Sequence, residues 1–211
     1  MADAYPNAQG RKLVLALIHT IEDNKNHLSE IDGKIGDGDH GINMAKGFGL
    51  VKERLGDKEV TLSEGLGLIG KTLMTEIGGS MGPIYGTFFI QMSLKAKDKP
   101  QTDAQLFEEM LRAARSGLED LGGAKVGDKT IMDTVIPAHE ACEAAVKKGA
   151  SLPEALRQMA AAAERGKEST RDLVAKIGRS ARLGERSRGV LDAGATSGAL
   201  ILQTFAIVLS S

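Results

Sequence analysis

Three carboxylates crowd one short loop in the first fifth of this 211-residue chain. They are Asp32, Asp37 and Asp39, and His40 follows them directly. Like charges held this close repel one another, and a divalent cation such as magnesium relieves the repulsion by taking carboxylate oxygens as ligands. The sequence therefore predicts a metal site here, with a solvated acidic turn that caps the next helix as the alternative.

The spacing of this loop excludes an EF-hand calcium site. Position twelve counted from Asp37 is Phe48 rather than the glutamate that such a loop requires. The helix expected to begin near Gly41 would direct its first amide groups at an anion. Metal and phosphate are therefore expected to share this corner of the molecule.

Four loops are rich in glycine: residues 36–41, 78–86, 122–130 and 178–194. Each also contains groups able to bind phosphate, metal or a base. Glycine allows the backbone to turn tightly or to approach a ligand closely, so these loops are candidate ligand contacts. Ordinary helix ends and turns are the alternative.

The segment Gly65–Thr72 matches the phosphate-binding P-loop pattern letter for letter. A P-loop follows a buried strand, whereas residues 51–59 are mostly charged. A stripe of apolar residues also runs through the match, from Leu62 to Ile77. We therefore expect these glycines to lie inside a helix, with Lys71 in a surface or packing role.

Helices must position these loops, because apolar residues recur at helical spacing over residues 13–28 and 62–77. Residues 196–209 predict a final buried helix. No alternating apolar and polar run rich in β-branched residues predicts a strand. The expected fold is all-α, with one domain over residues 1–211.

Capping patterns indicate where three of the helices begin. Thr61 with Glu64 has the spacing of a capping box. Similar openings occur at Thr102, with Gln105 three positions later, and at Ser151, with Glu154 three positions later.

Charge and cysteine content narrow the function classes. The chain has 27 basic and 28 acidic residues and a net charge of -1, without the basic excess typical of nucleic-acid binding. Its one cysteine, Cys142, can form neither an internal disulfide nor a thiolate metal site by itself. No signal peptide or membrane anchor is visible, so a soluble cytoplasmic protein is expected.

Five motifs, in this order along the chain, together resemble the dihydroxyacetone kinase L family. They are Lys34–Gly41, Gly78–Pro83, Gly127–Thr130, Gly184–Ser187 and Asp192–Ser197. The resemblance spans nearly the whole chain. It implies a single-domain barrel of eight helices, with the nucleotide at one end beneath the loops that join the helices.

The resemblance also implies roles for particular residues. Asp32, Asp37 and Asp39 would hold two magnesium ions that bridge the nucleotide phosphates. The nucleotide, ADP alternating with ATP, would contact His40, Gly41, Ile42, Asn43, Ser80, Met81, Gly122, Ile131 or its neighbour Met132, Arg179, Asp192, Ala193 and Gly194. Arg179 would stabilise the terminal phosphate. No general base is assigned, because the acceptor hydroxyl would be activated by a partner subunit.

The family has two mechanisms, and chain length favours one of them. One-chain ATP-dependent kinases carry a substrate domain ahead of the L-like domain, for which 211 residues leave no room. The chain resembles the separate L subunit, whose tightly held ADP is phosphorylated by a phosphohistidine on an M subunit. That phosphate then passes to dihydroxyacetone on a K subunit, with phosphoenolpyruvate as the ultimate donor.

Two alternatives remain open from the sequence. One is an L-type subunit of a two-chain ATP-dependent kinase for dihydroxyacetone or another short ketose. The other is a regulatory nucleotide-binding module whose state is sensed by a transcription regulator. Neither nucleic acid nor a membrane is expected as a partner.

Overall fold

The apolar stripes fold into eight α-helices within residues 3–211, the part of the chain that this computed structural model describes. The helices are α1 (Gly10–Ile35), α2 (His40–Leu55), α3 (Leu62–Glu76), α4 (Met81–Ala96), α5 (Ala104–Gly122), α6 (Met132–Lys147), α7 (Leu152–Ser169) and α8 (Ala193–Leu209). Short 3-10 turns occupy Asn7–Gln9, Thr170–Asp172 and Arg179–Ser187.

The helices close into a barrel, as predicted. Each helix packs on the next one in sequence, and α8 packs back on α1. The interior is one large hydrophobic core that contains Phe48, Phe89, Phe107 and Phe205. Among the described residues no helix is long and apolar enough to cross a lipid bilayer.

Two short strands are an addition to the all-α prediction. Strand β1 (Ala4–Pro6) pairs in antiparallel register with strand β2 (Gln101–Asp103). Buried Tyr5 and Thr102 lie opposite each other in this pair. Three residues per strand are too few to produce the alternation by which a strand is recognised in a sequence.

Of the three predicted helix starts, those at Thr61 and Ser151 are confirmed, and the one at Thr102 is wrong by one residue. Thr61 and Glu64 form the capping box at the start of α3, with reciprocal hydrogen bonds. Thr102 does not cap α5, because it lies in β2. The adjacent Asp103 caps α5 instead, where its carboxylate accepts the Leu106 amide at 2.8 Å. Ser151 is the N-cap residue of α7, but its side chain makes no capping hydrogen bond.

The P-loop match lies inside α3, as expected from its apolar stripe. Its glycines serve close helix packing. A Cβ atom on Gly70 would lie 2.8 Å from the backbone nitrogen of Ile90 on α4. Lys71 is exposed on the outer surface of this helix. The segment therefore has the geometry of a helix crossing rather than of a phosphate loop.

Gly41 allows the start of α2 to lie directly on α1. A Cβ atom at this position would collide with the Lys25 carbonyl oxygen and lie 2.7 Å from the Ser29 hydroxyl oxygen. The loop that contains the three aspartates ends at this crossing. The absence of a side chain at Gly41 therefore sets the distance between α1 and the start of α2.

Replacing Gly41 with alanine is expected to destabilise the protein by about 1–3 kcal/mol, since the added methyl group overpacks a backbone contact. Gly49→Ala on the same helix is the matched control. A Cβ atom at Gly49 meets nothing within 4 Å. This change should stabilise the protein by about 0.5–1 kcal/mol through helix propensity. Urea unfolding measures both, and equal effects of the two variants would contradict the packing role of Gly41.

Candidate functional site

A pocket of about 310 Å³ opens at one end of the barrel. Neighbouring helices run in opposite directions, so the C-termini of α1, α3 and α7 meet the N-termini of α2, α4, α6 and α8 there. The wall between α7 and α8 is formed by residues 171–189, which we call the strap. The glycine-rich loops predicted from the sequence therefore gather at the same end.

The three aspartates converge at the rim of this pocket. Asp32 lies in the last turn of α1, Asp37 in the connecting loop, and Asp39 immediately before α2. One carboxylate oxygen from each lies within 4.8 Å of the others. Three hard oxygen donors at this separation suit a magnesium ion. Gly36 makes the turn possible, because a Cβ atom there would lie 2.5 Å from an Asp32 carboxylate oxygen.

Arg179 reaches the acidic cluster from the strap. Its guanidinium forms an ion pair with Asp37, and its distance to the Asp39 carboxylate is 3.9 Å. The Arg179 side chain is nevertheless 63% exposed. It can therefore reorient towards an anion that enters the pocket, at little cost in desolvation.

His40 is held in the pocket floor by a buried hydrogen-bond network. Its Nε2 atom lies 2.9 Å from the Ser197 hydroxyl of α8, and the Tyr85 hydroxyl of α4 lies 2.5 Å from the same oxygen. Burial lowers the pKa of His40 to about 4, so the imidazole is neutral near pH 7. The network joins the starts of α2, α4 and α8 behind the pocket.

Asp192 caps α8 at the back of the pocket. Its carboxylate accepts the Ala195 amide at 2.7 Å. Burial raises the pKa of Asp192 to about 7, and the nearby Asp133 carboxylate adds to the rise, whereas the Ala195 hydrogen bond opposes it. This carboxyl group therefore titrates near neutral pH.

Four helix N-termini face the pocket, which favours an anionic ligand. The first residues of α2, α4 and α8, together with Ile131 just before α6, are among its lining residues. Each N-terminus carries a partial positive charge and amide groups that the helix does not use. The N-cap residues of α2 and α4, Asp39 and Ser80, make no side-chain capping bond. The His40 amide donates to an Asp32 carboxylate oxygen at 3.4 Å, and the other free amides at these two starts are available to phosphate oxygens.

Most of the predicted ligand contacts lie in this pocket. Its lining includes Asp32, Asp37, Asp39, His40, Asn43, Ser80, Met81, Ile131, Arg179, Asp192, Ala193 and Gly194. Four other predicted residues do not line it. Gly41 is buried against α1, Ile42 is 53% exposed, Gly122 ends α5 in open space, and Met132 is 2% exposed in the core. Their contacts with a ligand remain predictions.

Several lining residues were not predicted from the sequence, notably Ile35, Ile84, Tyr85 and Ile177. Tyr85 follows Met81 by four positions on α4, so the two share one helix face. This spacing could have indicated from the sequence that Tyr85 lines the same site as Met81. Ile177 lies in the strap, whose irregular backbone gives no periodicity from which its direction could be predicted.

The sequence pattern of one family, described as the DAK2 domain, matches residues 34–207. Two relatives match along most of their own length. The ADP-binding subunit DhaL of the PEP-dependent dihydroxyacetone kinase of Escherichia coli is 36% identical, over 86% of this chain and 87% of the relative. The corresponding subunit of kinase 1 from Listeria innocua is 38% identical, over 86% of each chain.

A solved structure has the same fold. It is the dihydroxyacetone kinase of C. freundii in complex with AMP-PNP and Mg2+, with a TM-score of 0.68 and 26% identity. The match covers 92% of this chain and 33% of that kinase. The barrel described above therefore corresponds to about one third of that longer protein.

Asp192→Asn is expected to change how stability depends on pH. Because burial raises the pKa of Asp192 in the folded state, the folded protein holds a proton that the unfolded chain releases above about pH 4. The free energy of unfolding should therefore fall between pH 4 and 7, by at most about 1.4 kcal/mol per pH unit from this group. Asparagine retains a capping oxygen but cannot ionise.

Urea unfolding of both proteins between pH 4 and 7.5, with a chelator present, measures this difference. His40 contributes the opposite slope in the same range, because its pKa is lowered. Since His40 is present in both proteins, subtracting one curve from the other isolates Asp192. Parallel curves would contradict the raised pKa.

Proposed function

We propose that this chain, which belongs to the DAK2 domain family, is the ADP-binding subunit of a phosphoenolpyruvate-dependent dihydroxyacetone kinase. Its ADP would be phosphorylated in place by a phosphohistidine on an M-type subunit. The phosphate would then pass to dihydroxyacetone on a K-type subunit. ADP and ATP would alternate on this chain without leaving it.

Similarity to two separate ADP-binding subunits is the observation that carries this proposal. This chain aligns with about seven-eighths of each ADP-binding subunit, but with only one third of the kinase from C. freundii. The aligned residues correspond to the nucleotide-binding part of that kinase. In the separate-subunit mechanism that we propose, the acceptor pocket would belong to another polypeptide.

The acidic cluster fits the metal that this function needs. Three carboxylate oxygens within 4.8 Å of one another form a donor set of the kind that magnesium takes in phosphoryl transfer. Magnesium bound there would neutralise negative charge on the nucleotide phosphates. Asp32 and Asp39, at the ends of α1 and α2, are fixed by those helices, whereas Asp37 lies in the loop between them.

The chain itself contributes positioning and charge rather than a proton acceptor. The uncapped N-termini of α2 and α4 would hold phosphate oxygens, and Arg179 would turn from the carboxylates to the terminal phosphate. His40 is neutral and its Nε2 atom is engaged by Ser197, so it does not serve as a general base in this arrangement. Phosphoryl transfer depends chiefly on such positioning and charge stabilisation.

Partner subunits must reach the phosphate at the open end of the pocket. Donor and acceptor would therefore bind the same pole of the barrel in turn. A regulatory role, in which a transcription regulator senses the nucleotide state, would use the same pole. Capture of such a regulator in the absence of a K-type subunit would favour that additional role.

Identifying the bound nucleotide tests the proposal directly. The protein is purified without added nucleotide and denatured with a chelator, and the released small molecules are identified by chromatography and mass spectrometry. About one ADP per chain is expected. An empty protein that binds ATP only weakly would instead indicate a two-chain kinase that exchanges ATP, for dihydroxyacetone or another short ketose.

Removing Asp37 or Asp39 should abolish binding of both metal and nucleotide. For Asp37→Ala and Asp39→Ala we expect ADP affinity in the presence of magnesium to fall by about 100-fold or more, since each change deletes a metal ligand. Calorimetry on nucleotide-free protein measures the affinity. Asp120→Ala, on the exposed surface of α5, and Lys71→Ala, in the P-loop match, are the controls. Undiminished affinity in either site variant would refute the metal assignment.

A further inference from the structure

The motif Gly127–Thr130 contains a buried lysine with an unusual set of partners. Lys129 is 1% exposed, although lysine is rarely found inside proteins. Its ammonium donates to three main-chain carbonyl oxygens: Thr170 at 2.6 Å, Leu173 at 3.2 Å and Val190 at 2.5 Å. An ammonium has three N–H donors, so all of them are used. Although Lys129 lines the pocket, no donor remains for a ligand.

The three carbonyl groups lie at the two ends of the strap. Thr170 and Leu173 are at its start, and Val190 follows its last residue. We call residues 170–173 and 189–192, where the two ends of the strap meet, the neck. Other bonds join its two halves: the Gly189 amide donates to the Arg171 carbonyl at 2.7 Å, and the Asp192 amide donates to the Thr170 hydroxyl at 3.0 Å. The Arg188 guanidinium also joins the two ends, since it donates to the Asp172 carbonyl oxygen at 2.6 Å. Unlike these single bonds, the Lys129 ammonium binds carbonyl groups of both ends at once.

The backbone at Lys129 supports a requirement for this particular side chain. Its φ angle is +64°, in the left-handed region that costs most residues about 1 kcal/mol and that favours glycine or asparagine. The neighbouring Asp128 binds the strap as well, since its carbonyl oxygen accepts the Lys176 amide at 3.2 Å. The motif is therefore an attachment point for the strap.

The strap in turn carries Arg179 to the acidic cluster. Between its ends the strap has internal bonds, such as that from the Ala175 amide to the Ser187 hydroxyl at 2.9 Å, and is bound to the rest of the chain through Lys176 and Arg179. Ile177, Gly178, Arg179 and Ser180 project from it into the pocket wall. A displacement of the neck would therefore move Arg179 relative to Asp37 and Asp39.

We propose that Lys129 is a positioning residue, which fixes the neck of the strap and thereby holds Arg179 over the phosphate end of the pocket. The role of Arg179 at the phosphate rests on the proposed function. The attachment of the strap by Lys129 does not depend on that function. It assigns to Lys129 a role without direct ligand contact. Removing its ammonium leaves three carbonyl groups without their donor and frees the strap to move.

Hydrogen exchange of the nucleotide-free protein tests the attachment independently of the proposed function. In Lys129→Met we expect amides of the strap to exchange at least about tenfold faster, while those of α4 and α6 keep their protection. Lys129→Asn is the second variant, because asparagine tolerates the left-handed backbone and so separates loss of the ammonium from backbone strain. Arg182→Met, which removes an exposed cation of the strap that does not bind the Gly127–Thr130 motif, is the control and should change exchange by less than about twofold.

A double-mutant cycle tests whether Lys129 acts through Arg179. We expect Lys129→Met and Arg179→Ala each to lower the rate of phosphoryl transfer to bound ADP by about 100-fold. The double variant should be no slower than Arg179→Ala alone, because the strap then has no guanidinium to position. A purely structural role would give additive losses, about 10,000-fold in the double variant.

Three results would overturn the proposal: unchanged exchange in the strap, equal loosening of the strap and the core in both Lys129 variants, or additive losses in the cycle. If the wild-type protein neither holds ADP nor accepts phosphate, the proposed function fails. The exchange measurement still decides whether Lys129 holds the strap.

Discussion

The alternating direction of the eight helices is the constraint on which the chemistry of this chain depends. A closed ring with an even number of helices places four N-termini and four C-termini at each pole. The pocket lies at the pole where α2, α4, α6 and α8 begin. The partial positive charges of these four N-termini partly offset the negative charge of the three aspartates. The same pole can therefore accommodate carboxylates, a cation and phosphate together.

Local patterns in the sequence were sufficient for the features that depend on neighbouring residues. The apolar stripe of α3 and the capping box at Thr61 and Glu64 involve positions three or four apart, which one sequence displays directly. The convergence of the three aspartates is also local, since seven positions separate Asp32 from Asp39. That a cation binds these crowded carboxylates remains a prediction.

Features that depend on distant residues could not be predicted in this way. Lys129 lies 41 positions from Thr170 and 61 from Val190, and an isolated lysine in a glycine-rich loop predicts solvent exposure. Tyr85 and Ser197 meet across 112 positions. The fold was anticipated from a family resemblance rather than from the stripes alone, since helical periodicity gives no ring order. Burial of a polar group is the feature that sequence patterns report least well.

The position of the chain ends has a consequence for how this barrel can be joined to other domains. The Lys12 ammonium near the start of α1 lies 2.6 Å from the hydroxyl of Ser211, at the pole opposite the pocket. A domain fused to either end would therefore begin at the pole opposite the pocket from which phosphate is transferred. The 16 residues of α2 span about 24 Å. A covalent tether of roughly eight extended residues is then the shortest that lets a fused acceptor domain reach the open pole.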